Sequence, residues 1–137
     1  MLGKESNVKI ATLVEMSKLL LDSNIIIGVV NNRFNISQFE NTTLLVSEIT
    51  RLEIFGYHKL KSNEEKLLEK FFNNIECLHI SKSIINHAIT FRKQKSMSVG
   101  DAIIAATAIA NKLPLSTANI KDFKHIEKLK LINPIEV

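Results

Sequence analysis

The sequence predicts an α/β protein in three layers, with a mostly parallel central sheet flanked by helices. Short apolar runs alternate with segments that open on helix-capping residues, the rhythm of a parallel sheet covered on both faces. Leu19-Leu20-Leu21 fits a short strand buried on both sides. Ser98 to Ala110 reads as an almost wholly apolar helix with a single acid, Asp101, near its head. A helix that is hydrophobic all round must be buried.

The 137 residues suit one domain with a core large enough to need no metal or disulfide staple. Apolar content of 45% with 23% charged residues is the composition of a globular chain. No apolar run approaches the roughly 20 residues that span a bilayer, and Met1 to Glu15 lacks the unbroken apolar core of a secretory signal. The lone Cys77 cannot form an internal disulfide, which favours a cytoplasmic setting. Without a second Cys or a closely spaced His it argues against zinc, and it reads as a small buried apolar residue. A net charge of +4 and a pI near 9.2 tilt the expected partner towards a polyanion.

Residues 1–15 stand ahead of the first strand as an extension of open status, and residues 16–137 make one domain. After Leu21 the chain turns polar at Asp22-Ser23-Asn24 and resumes as a short buried helix, Ile25 to Val30, ending at Asn31-Asn32. Two readings of Asp22 stand side by side. It is an ordinary N-cap, or it is an acid delivered at the carboxyl end of a strand, where open α/β sheets build their sites. Arg33 to Asn41 is loop or short helix, and Thr42 to Val46 is the second strand.

Ser47 caps a helix from Glu48 to about Lys59, with Glu48 placed to suit the helix dipole. Glu53 shares a stripe with Ile49, Leu52 and Gly56, which is expected to face inward. A buried acid needs a partner: a basic side chain, or a cation. Ser62-Asn63-Glu64-Glu65 reads as a capping box opening a helix through Phe72. Ile75 to Ile80 is the third strand, and Ser81 caps a helix from Lys82 to about Gln94 that ends in the basic run Arg92-Lys93-Gln94-Lys95. Ser98-x-x-Asp101 matches a loose capping box, the structural alternative to a chemical role for Asp101. Leu113 to Thr117 gives a short strand, Ala118 to Phe123 a turn and helix start, and Leu129 to Ile132 the last strand.

Strand ends and the helix heads that follow them gather along one edge of a parallel sheet, so Asp22 and Asp101 can meet there with Glu53. Three close carboxylates raise one another's pKa unless a cation intervenes. An all-oxygen set suits Mg²⁺ or Mn²⁺ rather than zinc or copper. Such an ion activates water and neutralises charge on a phosphodiester, and basic residues hold the polyanion. Metal-dependent nucleic-acid hydrolysis is the chemistry these residues point to.

Four segments in order resemble the PIN domain, and within it the VapC-like toxins of toxin–antitoxin pairs. They are Leu20 to Ile26, Ser47 to Gly56, Gly100 to Ala108, and Ser116 to Phe123 with Ile132-Asn133-Pro134. The resemblance implies a PIN-like, Rossmann-like fold and an Mg²⁺- or Mn²⁺-dependent ribonuclease. By position, Asp22, Glu53 and Asp101 match the family's metal-binding acids, with Glu53 rather than Glu48 in the acid position ahead of the glycine. The fourth acid position falls on Asn119, which adds no charge and puts a second ion in doubt; Asp122, three residues on, is not assigned in its place. The resemblance further implies an RNA substrate, a small antitoxin partner and a homodimer. Arg92, Lys93 and Lys95 are the expected RNA contacts.

Two other classes compete. A catalytically weak PIN-like module that binds RNA or protein is kept open by Asn119, and retention of the three acids speaks against it. A haloacid-dehalogenase-like phosphatase also places an aspartate after its first strand, but needs a second acid where Asn24 stands.

Overall fold

The computed structural model describes residues 18–136. The expected extension at residues 1–15 lies outside the described residues. Five strands form one sheet in the order β3-β2-β1-β4-β5, every neighbouring pair parallel. They are β1 (Lys18–Leu21), β2 (Thr43–Ser47), β3 (Glu76–Leu78), β4 (Leu115–Ser116) and β5 (Leu131–Ile132). Five α-helices connect them: α1 (Ser23–Val30), α2 (Glu48–Phe55), α3 (Ser62–Phe72), α4 (Lys82–Gln94) and α5 (Val99–Ala110). The chain builds outward from β1 to β2 and β3, then crosses back to lay β4 on the other side of β1. The strand order therefore reverses between β1 and β4, and the carboxyl ends of those two strands frame the crevice where such sheets place ligands.

Two clusters of buried side chains make the layers. Leu20, Leu45 and Leu115 face α4 and α5 through Ile84, Ala88, Phe91 and the alanines of α5, with Phe123 sealing one end. Leu19, Leu21 and Val46 face the opposite way, onto Ile25, Ile26, Ile54 and Leu68. The leucine triplet thus alternates between two cores with no more than 3% exposure at any of the three positions, as a strand covered on both faces requires. Burying a leucine side chain contributes about 1.5–3 kcal/mol, so β1 anchors both layers. Helix α5 is buried over Gly100 and Ala102–Ala108.

Caps set most of the boundaries. Ser47, Ser81 and Ser98 accept backbone N–H bonds from Ile49, Ile84 and Asp101, as expected. Helix α2 ends at Phe55 rather than near Lys59, because Gly56 is its C-cap and glycine is a poor helix former. The N-cap of α3 is Lys61 and not Ser62; Glu64 reaches back to the Lys61 N–H at 3.4 Å, one residue earlier than the pattern suggested. Strands β3, β4 and β5 are shorter than their apolar runs. Cys77, expected to be buried, is a free, half-buried thiol on the edge strand β3, packed at the border of the second core. Among the described residues no helix is long and apolar enough to cross a membrane.

Candidate active site

Asp22 stands at the carboxyl end of β1, 3% exposed. Its two structural readings prove compatible. As N-cap of α1 it accepts the Ser23 N–H on Oδ1 at 2.8 Å. Its other oxygen, Oδ2, accepts the Thr117 hydroxyl at 2.8 Å and the Asn24 side-chain amide at 3.2 Å. The Asp22 N–H donates to the Ser116 carbonyl at 3.0 Å, and Asn24 Oδ1 accepts the Ala118 N–H at 3.1 Å. The turns after β1 and β4 are therefore stitched together around one buried carboxylate.

Thr117 and Asn24 were missed by sequence reasoning. Thr117 is fully buried and accepts the Asn119 N–H at 3.0 Å, which leaves its proton for Asp22. A hydroxyl at the end of a β-branched run carries no sequence signal of this role. The position of Asn24, two residues after Asp22, could have suggested it.

Glu53 does not lie on a buried stripe. Leu52 beside it is 66% exposed, and the buried residues of α2 are Thr50 and Ile54. The helix is short and straddles the sheet edge, Ile49 packing on one core and Ile54 in the other. Glu53 consequently reaches along the rim, towards the start of α5: a β-carbon built on Gly100 would run into its carboxylate. Asp101, in the first turn of α5, donates its backbone N–H to Ser98 Oγ at 3.0 Å. The capping role of Ser98 is real, and it leaves the Asp101 carboxylate half-buried beside the same cleft.

Glu53 and Asp101 line a cleft of about 390 Å³ whose walls include Ile27, Val30, Ile54, Tyr57, Leu60 and Leu68. All three acids are held above their ordinary values. For Glu53 the cause is burial first, then the charges of Asp22 and Asp101. Asp101 is raised by burial and by Asp22, against the Ser98 hydroxyl, which holds it down. Burial raises Asp22 despite the donors Thr117, Ser23 and Asn24. Asp122 adds its charge to both Asp22 and Asp101. Among the described residues the one ion pair, Arg51 with Glu48 at 3.0 Å, lies on the exposed outer side of α2. No basic side chain among the described residues pairs with the three acids.

The donors fit a hard cation in kind: all are oxygen, and no basic side chain among the described residues offsets their mutual repulsion. As they stand, no three Asp, Glu, His or Cys groups among the described residues are close enough to grip one ion. Side-chain closure is needed for that.

Raised carboxyls give the pH dependence a sign. The folded chain keeps protons that the unfolded chain releases. The stability these groups contribute is complete below the ordinary carboxylate range and is lost as pH rises through their raised values. In metal-free melting curves, Asp101→Asn should therefore show a shallower decline towards neutral pH than wild type. An equal or steeper decline contradicts the repulsion.

The other expected residues make no hydrogen bond to the three acids among the described residues. Asn119 is exposed and precedes the 3-10 helix Ile120–Asp122; its side chain makes no hydrogen bond among the described residues. Arg92 donates Nε to the Met97 carbonyl at 3.2 Å, bracing the turn before α5, while Lys93 and Lys95 are exposed. Among the described residues no hydrogen bond or ion pair joins these three to the acids.

Comparison with known proteins agrees with the fold. The PIN-domain family profile matches residues 19–129. Ribonuclease VapC2 of Rickettsia felis is 31% identical over 128 residues, covering 83% of this chain and 96% of that protein. The crystal structure of VapBC2 from Rickettsia felis, bound to a promoter DNA fragment, superposes with a TM-score of 0.72 at 28% identity, over 85% of this chain and 98% of that one. A toxin–antitoxin complex from Klebsiella pneumoniae gives 0.71 at 28% identity, over 87% and 99%. With its parallel sheet, Asp22 at the carboxyl end of β1 and these relatives, the chain belongs to the PIN-domain family, as a relative of the VapC ribonucleases.

Proposed function

We propose that this protein is a divalent-metal-dependent endoribonuclease, the toxin of a toxin–antitoxin pair. One observation carries the reading: Asp22 ends β1 with Glu53 and Asp101 near enough that their charges act on one another, and among the described residues no basic side chain pairs with them. Asp22, Glu53 and Asp101 would hold Mg²⁺ or Mn²⁺. When bound, the ion supplies an activated water and offsets charge on the phosphodiester. The chain's own part is orientation. Thr117 and Asn24 fix the Asp22 carboxylate, and Ser98 fixes the head of α5. Asn119 is assigned the fourth position of the site, where its amide can bond a metal-bound water without adding charge.

The test is cleavage of single-stranded RNA by the purified protein, with chelator and then with Mg²⁺ or Mn²⁺ restored. Cleavage that depends on the ion supports the proposal. Metal-supplemented protein that binds RNA and leaves it intact supports the second reading, a catalytically weak binding module. Asn119, which brings no charge to the fourth acid position, is what keeps that alternative open.

A small antitoxin partner completes the proposal, supported by the relatives solved as VapBC and toxin–antitoxin complexes; the homodimer and the cytoplasmic setting are carried over from the resemblance and from the lone Cys77. Sedimentation of the purified chain tests the dimer, and a small antitoxin-like reading frame beside the gene tests the partner. RNA contact is assigned to Arg92, Lys93 and Lys95. Each phosphate contact to a single strand contributes about 0.7 to the slope of log affinity against log salt. Replacing Lys93 and Lys95 together with alanine should flatten that slope and weaken binding to all sequences. An unchanged slope moves the RNA elsewhere, with Lys121, Lys124 and Lys128 the next candidates.

A further inference from the structure

We propose that Gly100 is a positioning residue for Glu53, kept without a side chain so that the carboxylate can rest against the first turn of α5. The proposal rests on reading Glu53 as an acid of the metal site. A β-carbon at Gly100 would meet Oε2 at once, with Cδ at 3.1 Å and Oε1 at 3.4 Å, so the whole carboxylate lies over this one backbone atom. The backbone does not require glycine here, because no glycine among the described residues has a positive φ. Gly100 is buried in a helix whose inward positions are otherwise largely alanine, isoleucine and threonine. Glycine is the costlier choice inside a helix. Space for Glu53 is what remains to explain it.

The atoms in the way are the far end of a flexible side chain, not backbone. An alanine at this position is therefore accepted by the fold and refused by the carboxylate. Glu53 swings out, and the cleft loses one of its acids. Fold and site respond in opposite directions, which a merely structural glycine does not allow.

The experiment compares wild type, Gly100→Ala, Glu53→Ala and the double variant, metal-free and with Mn²⁺. Gly100→Ala should melt no lower than wild type without metal, yet gain less from Mn²⁺. Its kcat on RNA should fall about 100-fold, the scale of an ångström-sized misplacement. In the Glu53→Ala background the same alanine should change neither readout further. A crystal structure of Gly100→Ala should show Glu53 in another rotamer. Wild type that gains nothing from Mn²⁺ and cleaves nothing counts against the metal-site reading, and the rotamer still decides on the seat. Gly100→Ala with Glu53 unmoved, or with wild-type cleavage in an active preparation, overturns the proposal. A large loss of metal-free stability overturns it too, because the side chain would then be unable to yield.

Discussion

Asp101→Asn should leave the metal-free protein at least as stable as wild type while eliminating RNA cleavage and the stabilisation given by Mg²⁺ or Mn²⁺. The substitution keeps the size of the side chain and the Ser98 cap, which uses the Asp101 backbone N–H. It removes a charge that repels Asp22 and Glu53. If the carboxylate served only the helix dipole and the capping box, neutralising it would cost on the order of 0.5–1 kcal/mol. The two roles differ in the sign of the stability change, so melting curves with chelator and with metal separate them. A variant less stable than wild type that still cleaves in a metal-dependent way removes Asp101 from the metal site.

Thr117→Val should damage both stability and cleavage, although valine matches threonine in shape. The hydroxyl is buried, donates to Asp22 Oδ2 at 2.8 Å and accepts the Asn119 N–H. A hydrogen bond to a charged group contributes about 1.5–3 kcal/mol, and its loss here also strands a backbone donor. The Thr117 bond lowers the Asp22 pKa against burial. The stability penalty is therefore greatest where Asp22 is ionised and fades as pH falls through its folded value. Freed from one of two donors on Oδ2, the carboxylate loses its fixed orientation. Cleavage should drop by roughly 100-fold on the same misplacement scale, with Thr117→Ser restoring most of it. Valine behaving as wild type in urea unfolding and in cleavage would show that this bond positions nothing.

How much of this was legible in the sequence follows from what each signal measures. Leu19 to Leu21 announced a doubly covered strand because only burial on both faces tolerates three leucines in succession. Ser47, Ser81 and Ser98 marked helix starts because capping is a local act of one hydroxyl on nearby N–H groups. Asp22 and Asp101 became candidates through the same locality, and the structure places them at a strand end and a helix head. Glu53 was found for a reason the structure corrects: the stripe through Leu52 faces outward, and the acid is placed by where α2 crosses the sheet edge. Thr117 and Gly100 were invisible in their roles. What makes each matter is a partner in another segment, Asp22 for the one and Glu53 for the other. The order β3-β2-β1-β4-β5 likewise depends on which side of β1 the chain returns to, and local pattern does not encode that choice.

Asp22, Glu53 and Asp101 are proposed to bind one divalent ion jointly. Calorimetric titration of Mn²⁺ into the metal-free protein tests this without reference to any substrate. Saturable binding by wild type, weakened at least tenfold in each of Asp22→Asn, Glu53→Gln and Asp101→Asn, is the result expected. Binding of equal strength in all four proteins would place the ion elsewhere and contradict the account.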